Sequence, residues 1–190
     1  MSELGITTDQ LNTIVKKLGG ELSIGTATPP RVVVWKTIKL RMFRSARRYC
    51  RAIKKAGMEI DGYGQSSVLP RTEISRIEME VDIVMLSVAE LGLREYSLYK
   101  DICDRGVEIG LELCPVEVCL VLCLAYKDQP SNKNFYIATG DVTDRHGHKV
   151  VFWVKNGHGI YGHLTSLYSH DTLFAFIRPR SRSLRLSNLI

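Results

Sequence analysis

The sequence predicts an α+β protein, and three observations carry that prediction. A β-branched apolar run, Val81-Asp82-Ile83-Val84-Met85-Leu86-Ser87-Val88, is followed by a helical pattern bounded by a serine and a glycine. Beyond Pro130, β-rich runs at 135–139, 149–155, 160–167 and 172–177 alternate with turn clusters. Ahead of both lies a cation-rich segment whose apolar residues recur at helical spacing.

Along the chain, Thr7-Thr8-Asp9 can cap a short helix through Leu18, with Leu11, Ile14, Val15 and Leu18 as its apolar stripe and Gly19-Gly20 as its stop. Residues 21–31 hold Gly25, Pro29 and Pro30 and read as a connector. From 36 to 56, Leu40, Phe43, Ala46, Cys50 and Ile53 predict a helix that Gly57 ends. Residues 58–77, with Gly62, Gly64 and Pro70, read as a linker between a basic N-terminal segment, 1–57, and an α+β domain, 78–178. In that domain the apolar run centred on 81–88 predicts a strand buried on one or both faces. Ser97 can cap the helix that follows; Tyr99, Ile102, Cys103 and Ile109 form its apolar face, and Gly110 sits where a left-handed residue ends it. After Pro115 the pattern reads as one helical turn and then a strand through Tyr126. Asp144-Arg145-His146-Gly147 and Asn156-Gly157-His158-Gly159 supply hairpin turns for a terminal antiparallel meander, and 179–190 form a basic tail.

The charge is sorted into blocks. Residues 1–57 carry 12 cations against 3 carboxylates, 58–144 carry 7 against 16, and 145–190 carry 7 against 1, within a net charge of +6. Such sorting points to an anionic partner for the ends, or to a match between the blocks themselves. Apolar content of 45% and charged content of 24% exclude wholesale disorder. The longest apolar run, Leu113 to Tyr126, is interrupted by Pro115 and Glu117 and falls short of the roughly 20 residues of a membrane span. Five cysteines without paired spacing, and a beginning that lacks the layout of a secretory signal, predict a reducing, cytoplasmic setting.

Several phrases act together as a family marker: Ser87-Val88-Ala89-Glu90-Leu91-Gly92, Gly110-Leu111-Glu112-Leu113-Cys114-Pro115-Val116-Glu117-Val118 and Tyr126-Lys127-Asp128-Gln129-Pro130. Across residues 81–178 the chain resembles a family of uncharacterised bacterial proteins with a strand, a helix, the phrase GLELCPxEV, a strand ending YKDQP and a terminal meander. The resemblance implies that architecture and no activity. The chain departs from it at Cys119 to Cys123, where the family is more polar.

The candidate chemistry begins with Arg41, Arg44, Arg48, Arg51 and Lys55, which line one side of the expected basic helix. A stripe of cations of this kind binds phosphates, and phosphate contacts supply most nonspecific nucleic-acid affinity. Trp35 and Tyr49 lie near it as stacking groups, and Arg180 and Arg182 extend the basic character into the tail. The competing reading is a solvated face, or one that packs on the acidic block. Cys114, Cys119 and Cys123 with His146, His148, His158, His163 and His170 include soft ligands for zinc, but core packing suits the cysteines better. Glu112 and Glu117 flank the Cys114 thiol as an acid or base pair; helix-end positions explain both more simply. No cofactor is called for. The sequence therefore predicts a noncatalytic binding protein with nucleic acid as its ligand. A protein-interaction module with an acidic partner is the alternative, and a metal-dependent enzyme comes further behind.

Overall fold

The computed structural model describes residues 32–61, 68–125, 134–155, 159–164 and 167–180. The expected helix at 7–18, the connector at 21–31, Asn156 to His158 and Arg182 lie outside them.

A seven-stranded mixed sheet organises the chain, in the order β1-β3-β9-β5-β6-β7-β2. Its strands are β1 (Val34–Leu40), β2 (Glu59–Ile60), β3 (Met79–Ser87), β5 (Phe135–Ile137), β6 (Val150–Lys155), β7 (Gly159–Leu164) and β9 (Leu173–Arg178). A small second sheet pairs β4 (Ser97–Leu98) with β8 (Leu167–Tyr168). The helices are α1 (Ala46–Lys55), α2 (Tyr99–Glu108) and α3 (Glu117–Ala125). The α+β class therefore stands. The meander holds only for β5-β6-β7: β9 leaves it to run parallel to β5 and antiparallel to β3, and β2 runs parallel to β7.

Period-two alternation sends successive side chains of the central strands to opposite faces, and both faces are covered. Val81 and Ile83 of β3 with Ala175 and Ile177 of β9 join a core beneath α1 and α3, while Val84, Leu86, Phe174 and Phe176 join a second core beneath α2. This explains why β3 reads as almost continuously apolar. α2 approaches its face closely at Gly106, where an added Cβ would stand 2.2 Å from the Phe176 ring. Met58, Ile60, Val68 and Leu69, within the stretch read as a linker, are buried in the first core.

Three element readings are corrected. Residues 36–56 are not one helix: 34–40 form β1, in which Ile38 and Leu40 alternate into the core, and the helix starts only at Ala46. Arg41, at φ +63, turns the chain between them. The strand expected before Tyr126 is α3, whose residues Glu117 to Cys123 are all buried. A helix buried all round carries no amphipathic period, so spacing could not distinguish it from a strand. Ser97 does not cap α2: Leu98 holds the N-cap position, and the Ser97 hydroxyl donates to the Arg94 carbonyl.

The helix stops are as expected. After α1, the Gly57 amide bonds the Lys54 carbonyl at 3.0 Å and the Met58 amide bonds Ile53 at 3.2 Å, with Gly57 at φ +79. Gly110, at φ +87, repeats the pattern after α2, with amides of Gly110 and Leu111 on Val107 and Gly106. Both are Schellman closures, which need a left-handed residue that glycine adopts without a Cβ clash.

Candidate nucleic-acid interface

The sequence ARRYCRAIKK makes α1 two-sided. Ala46, Tyr49 and Ile53 are buried, whereas Arg47, Arg48, Arg51, Lys54 and Lys55 are exposed. At about 100° per residue the five cations fall within an arc of about 120°, centred opposite the three buried residues, and span about 12 Å of helix axis. Arg44, exposed in the turn before the helix, extends the arc. Among the described residues, no carboxylate lies within ion-pairing distance of Arg44, Arg47, Arg48, Arg51 or Lys55. Lys54 and Lys55 also complement the partial negative charge at the helix C-terminus.

What holds this arc in place is a buried carboxylate. Glu117, fully buried at the start of α3, accepts the Arg41 amide at 2.6 Å and the Tyr49 hydroxyl at 2.9 Å on Oε1, and the Ser75 amide at 2.8 Å on Oε2. One side chain thereby ties the turn after β1, the core face of α1 and the segment before β3 to α3. Burial, reinforced by the bond to Glu117, pushes the Tyr49 phenol well above its usual range, so it remains a donor. The Phe43 ring meets Tyr49 edge-on at 4.9 Å between centroids.

The expected site is thus partly assembled. Arg48, Arg51 and Lys55 share the exposed side of α1 and Arg44 adjoins it, while Arg41 is half-buried in a turn with its amide engaged by Glu117. Arg47 and Lys54 were missed because the helix was phased from residue 36; phased from Ala46, the same spacing includes them. Tyr49 cannot stack on a base, since it is buried. Trp35 is on β1, where its ring meets Phe135 edge-on at 5.6 Å between centroids. Arg180 lies elsewhere, clasped by Asp82 at 2.7 Å and Glu80 at 3.2 Å. Asp82 also accepts the Thr37 hydroxyl at 2.6 Å; the Arg180 bond first, then Thr37, pulls its carboxyl down to about 2.

The other candidates separate. Glu112 is exposed and its backbone bridges Ile177, whereas Glu117 is buried in its own network, so the two do not form an acid and base pair. Cys114, Cys119 and Cys123 are buried free thiols; burial pushes Cys123 up to about 12 and Cys114 and Cys119 further up. His146 and His148 sit on an exposed turn whose amides donate to Asp144. Among the described residues, no three His, Cys, Asp or Glu side chains are grouped to hold a metal ion. Nor is any helix among them long and apolar enough to cross a membrane.

Comparison with protein-family models, with curated proteins and with solved structures finds no match to this chain.

Proposed function

We propose that the protein is a noncatalytic binding module that captures nucleic acid on the cationic arc of α1. The observation that carries this reading is the absence, among the described residues, of carboxylate partners for Arg44, Arg47, Arg48, Arg51 and Lys55. Cations that a fold neutralises internally contribute little to a ligand; cations aligned on a rigid, core-anchored helix release counterions when phosphates replace them. Over about 12 Å of axis, duplex DNA presents roughly seven phosphate charges at one per 1.7 Å, a density that five to six cations match. The five free thiols support a reducing, cytoplasmic place of action.

Fluorescence anisotropy with generic single- and double-stranded RNA and DNA across a salt series tests the reading. Binding whose logarithm falls linearly with the logarithm of salt, and which a charge-reversed α1 loses, is the expected result. An intact protein that binds none of the four at low salt overturns it and leaves an acidic protein as the partner to seek.

A further inference from the structure

An apolar ledge lies beside the cationic arc. Met42, Ile77 and Met79 are 51%, 66% and 44% exposed, although Leu40 and Val81, which continue their rows inward, are buried. In the β1–β3 register Leu40 stands opposite Met79 and Ile38 opposite Val81, so Met79 lies on the sheet face that α1 and α3 cover, at the end their cover does not reach. Glu117 fixes the ledge in place. It holds the amides of Arg41 and Ser75 at 2.6 and 2.8 Å; Met42 follows the one, and Ile77 comes just past the other. Charge is sorted by face around it. Thr37 and Lys39 alternate to the opposite side of β1, and there Lys39 takes the carboxylate of Glu78 while Arg180 takes those of Glu80 and Asp82. The turn from Met42 into α1 carries Arg44, then Arg47 and Arg48, and among the described residues none of the three has a carboxylate within ion-pairing distance.

We propose that this ledge receives the splayed bases of a single strand whose phosphates lie on α1. The inference rests on the reading of α1 as a nucleic-acid-binding helix and names the form of nucleic acid the protein takes. A duplex keeps its base faces in the stack and turns phosphates and groove edges outward, so an apolar surface beside cations gains little from it. A single strand offers both surfaces, and sites for single strands join a cationic track to contacts with base faces. The side chains present suit a base. Ile and Met are among those that enter between bases, and a Met thioether makes favourable contacts with aromatic rings. Charge completes the match: a protein partner would need an acidic rim to meet Arg44, Arg47 and Arg48, whereas a strand carries negative charge on every nucleotide.

2-Aminopurine, whose fluorescence is quenched when it stacks on neighbouring bases, reports the contact directly. Bound to the full chain at low salt, a single-stranded oligonucleotide carrying it should brighten at least about twofold and bind at least about fivefold more tightly than the same sequence as a duplex. Met42→Ser combined with Ile77→Ser changes two side chains exposed enough to leave the melting temperature in place. This variant should lose the brightening and hold the single strand within about twofold of the duplex, whereas Met42→Leu with Ile77→Leu should keep both properties of the native chain. A strand that binds without brightening, a duplex that binds as tightly as the single strand, or a serine variant that brightens its strand as the native chain does overturns the proposal. Each of those results leaves α1 its phosphates and gives the ledge to a protein partner. Binding of neither form at low salt overturns this inference together with the reading of α1, so the two failures are told apart.

Discussion

α1 and the chain just past β9 carry the same kind of cation and meet opposite fates. On α1, Arg47, Arg48 and Arg51 face away from the core without a carboxylate among the described residues, whereas Arg180 is held by Glu80 and Asp82 of β3. The acidic block thus holds Arg180 at one basic end and, through Glu78, Lys39 at the other, but among the described residues it puts no carboxylate within ion-pairing distance of Arg44, Arg47, Arg48, Arg51 or Lys55. Block charge in a sequence therefore does not fix where charge is free. Register does: β3 pairs with β9 so that Asp82 lies opposite Arg178, which brings Arg180 within reach, while α1 turns its cations away from the sheet.

Three perturbations break or sharpen this contrast, in descending size. Glu117→Ala removes the anchor of α1. It strands the Arg41 and Ser75 amides and the Tyr49 hydroxyl, so unfolding by urea should show a loss of about 2–4 kcal/mol. A loss below about 1 kcal/mol would mean that water replaces the carboxylate and that α1 is not held through it. Next, the triple reversal Arg47→Glu, Arg48→Glu and Arg51→Glu should cut nucleic-acid affinity by at least about 100-fold and reduce the salt slope by more than the roughly 2.7 expected for three lost phosphate contacts. Its melting temperature should stay near that of the native chain, since the three side chains are exposed. The smallest effect belongs to Arg180→Ala, which should leave nucleic-acid binding unchanged and alter only acid sensitivity. With its carboxyl pulled down to about 2, Asp82 adds stability that is complete above the ordinary carboxylate range and drains away as pH falls towards 2. Without Arg180 that pH dependence should weaken, and a carbon-detected NMR titration should find Asp82 moved back up; a clear drop in affinity would instead put Arg180 in the interface.

The readable parts of the molecule were those in which one local rule acts alone. Continuous burial on both faces marks β3; Gly57 and Gly110 end helices by conformational necessity. Where two periods overlap, the reading fails. Leu40, Phe43 and Ala46 happen to continue the helical spacing of α1 backwards through Arg41, although Ile38 and Leu40 follow the period of a strand. α3 is buried on every side and has no period to read. β2 is two residues long and exists through its parallel pairing with β7, roughly a hundred residues away, which no local pattern announces. The site shows the same division. The cations were legible as a stripe, but Glu117, which fixes their helix, looked like an ordinary helix-end acid, because its three donors come from 42 to 76 residues earlier in the chain.

The position of β9 also governs how such a sheet can be made. It is the last strand in chain order among the described residues, yet it lies between β3 and β5, so a ribosome that has just passed residue 172 has made both neighbours and not the strand that joins them. Until it arrives, β1-β3 and the β5-β6-β7-β2 piece each keep an unsatisfied apolar edge, which is a template for pairing with other nascent chains. Closure through contacts this distant in sequence belongs to the slow end of single-domain folding, on the order of milliseconds to seconds. The interval between synthesis and closure is when those edges are open to such pairing.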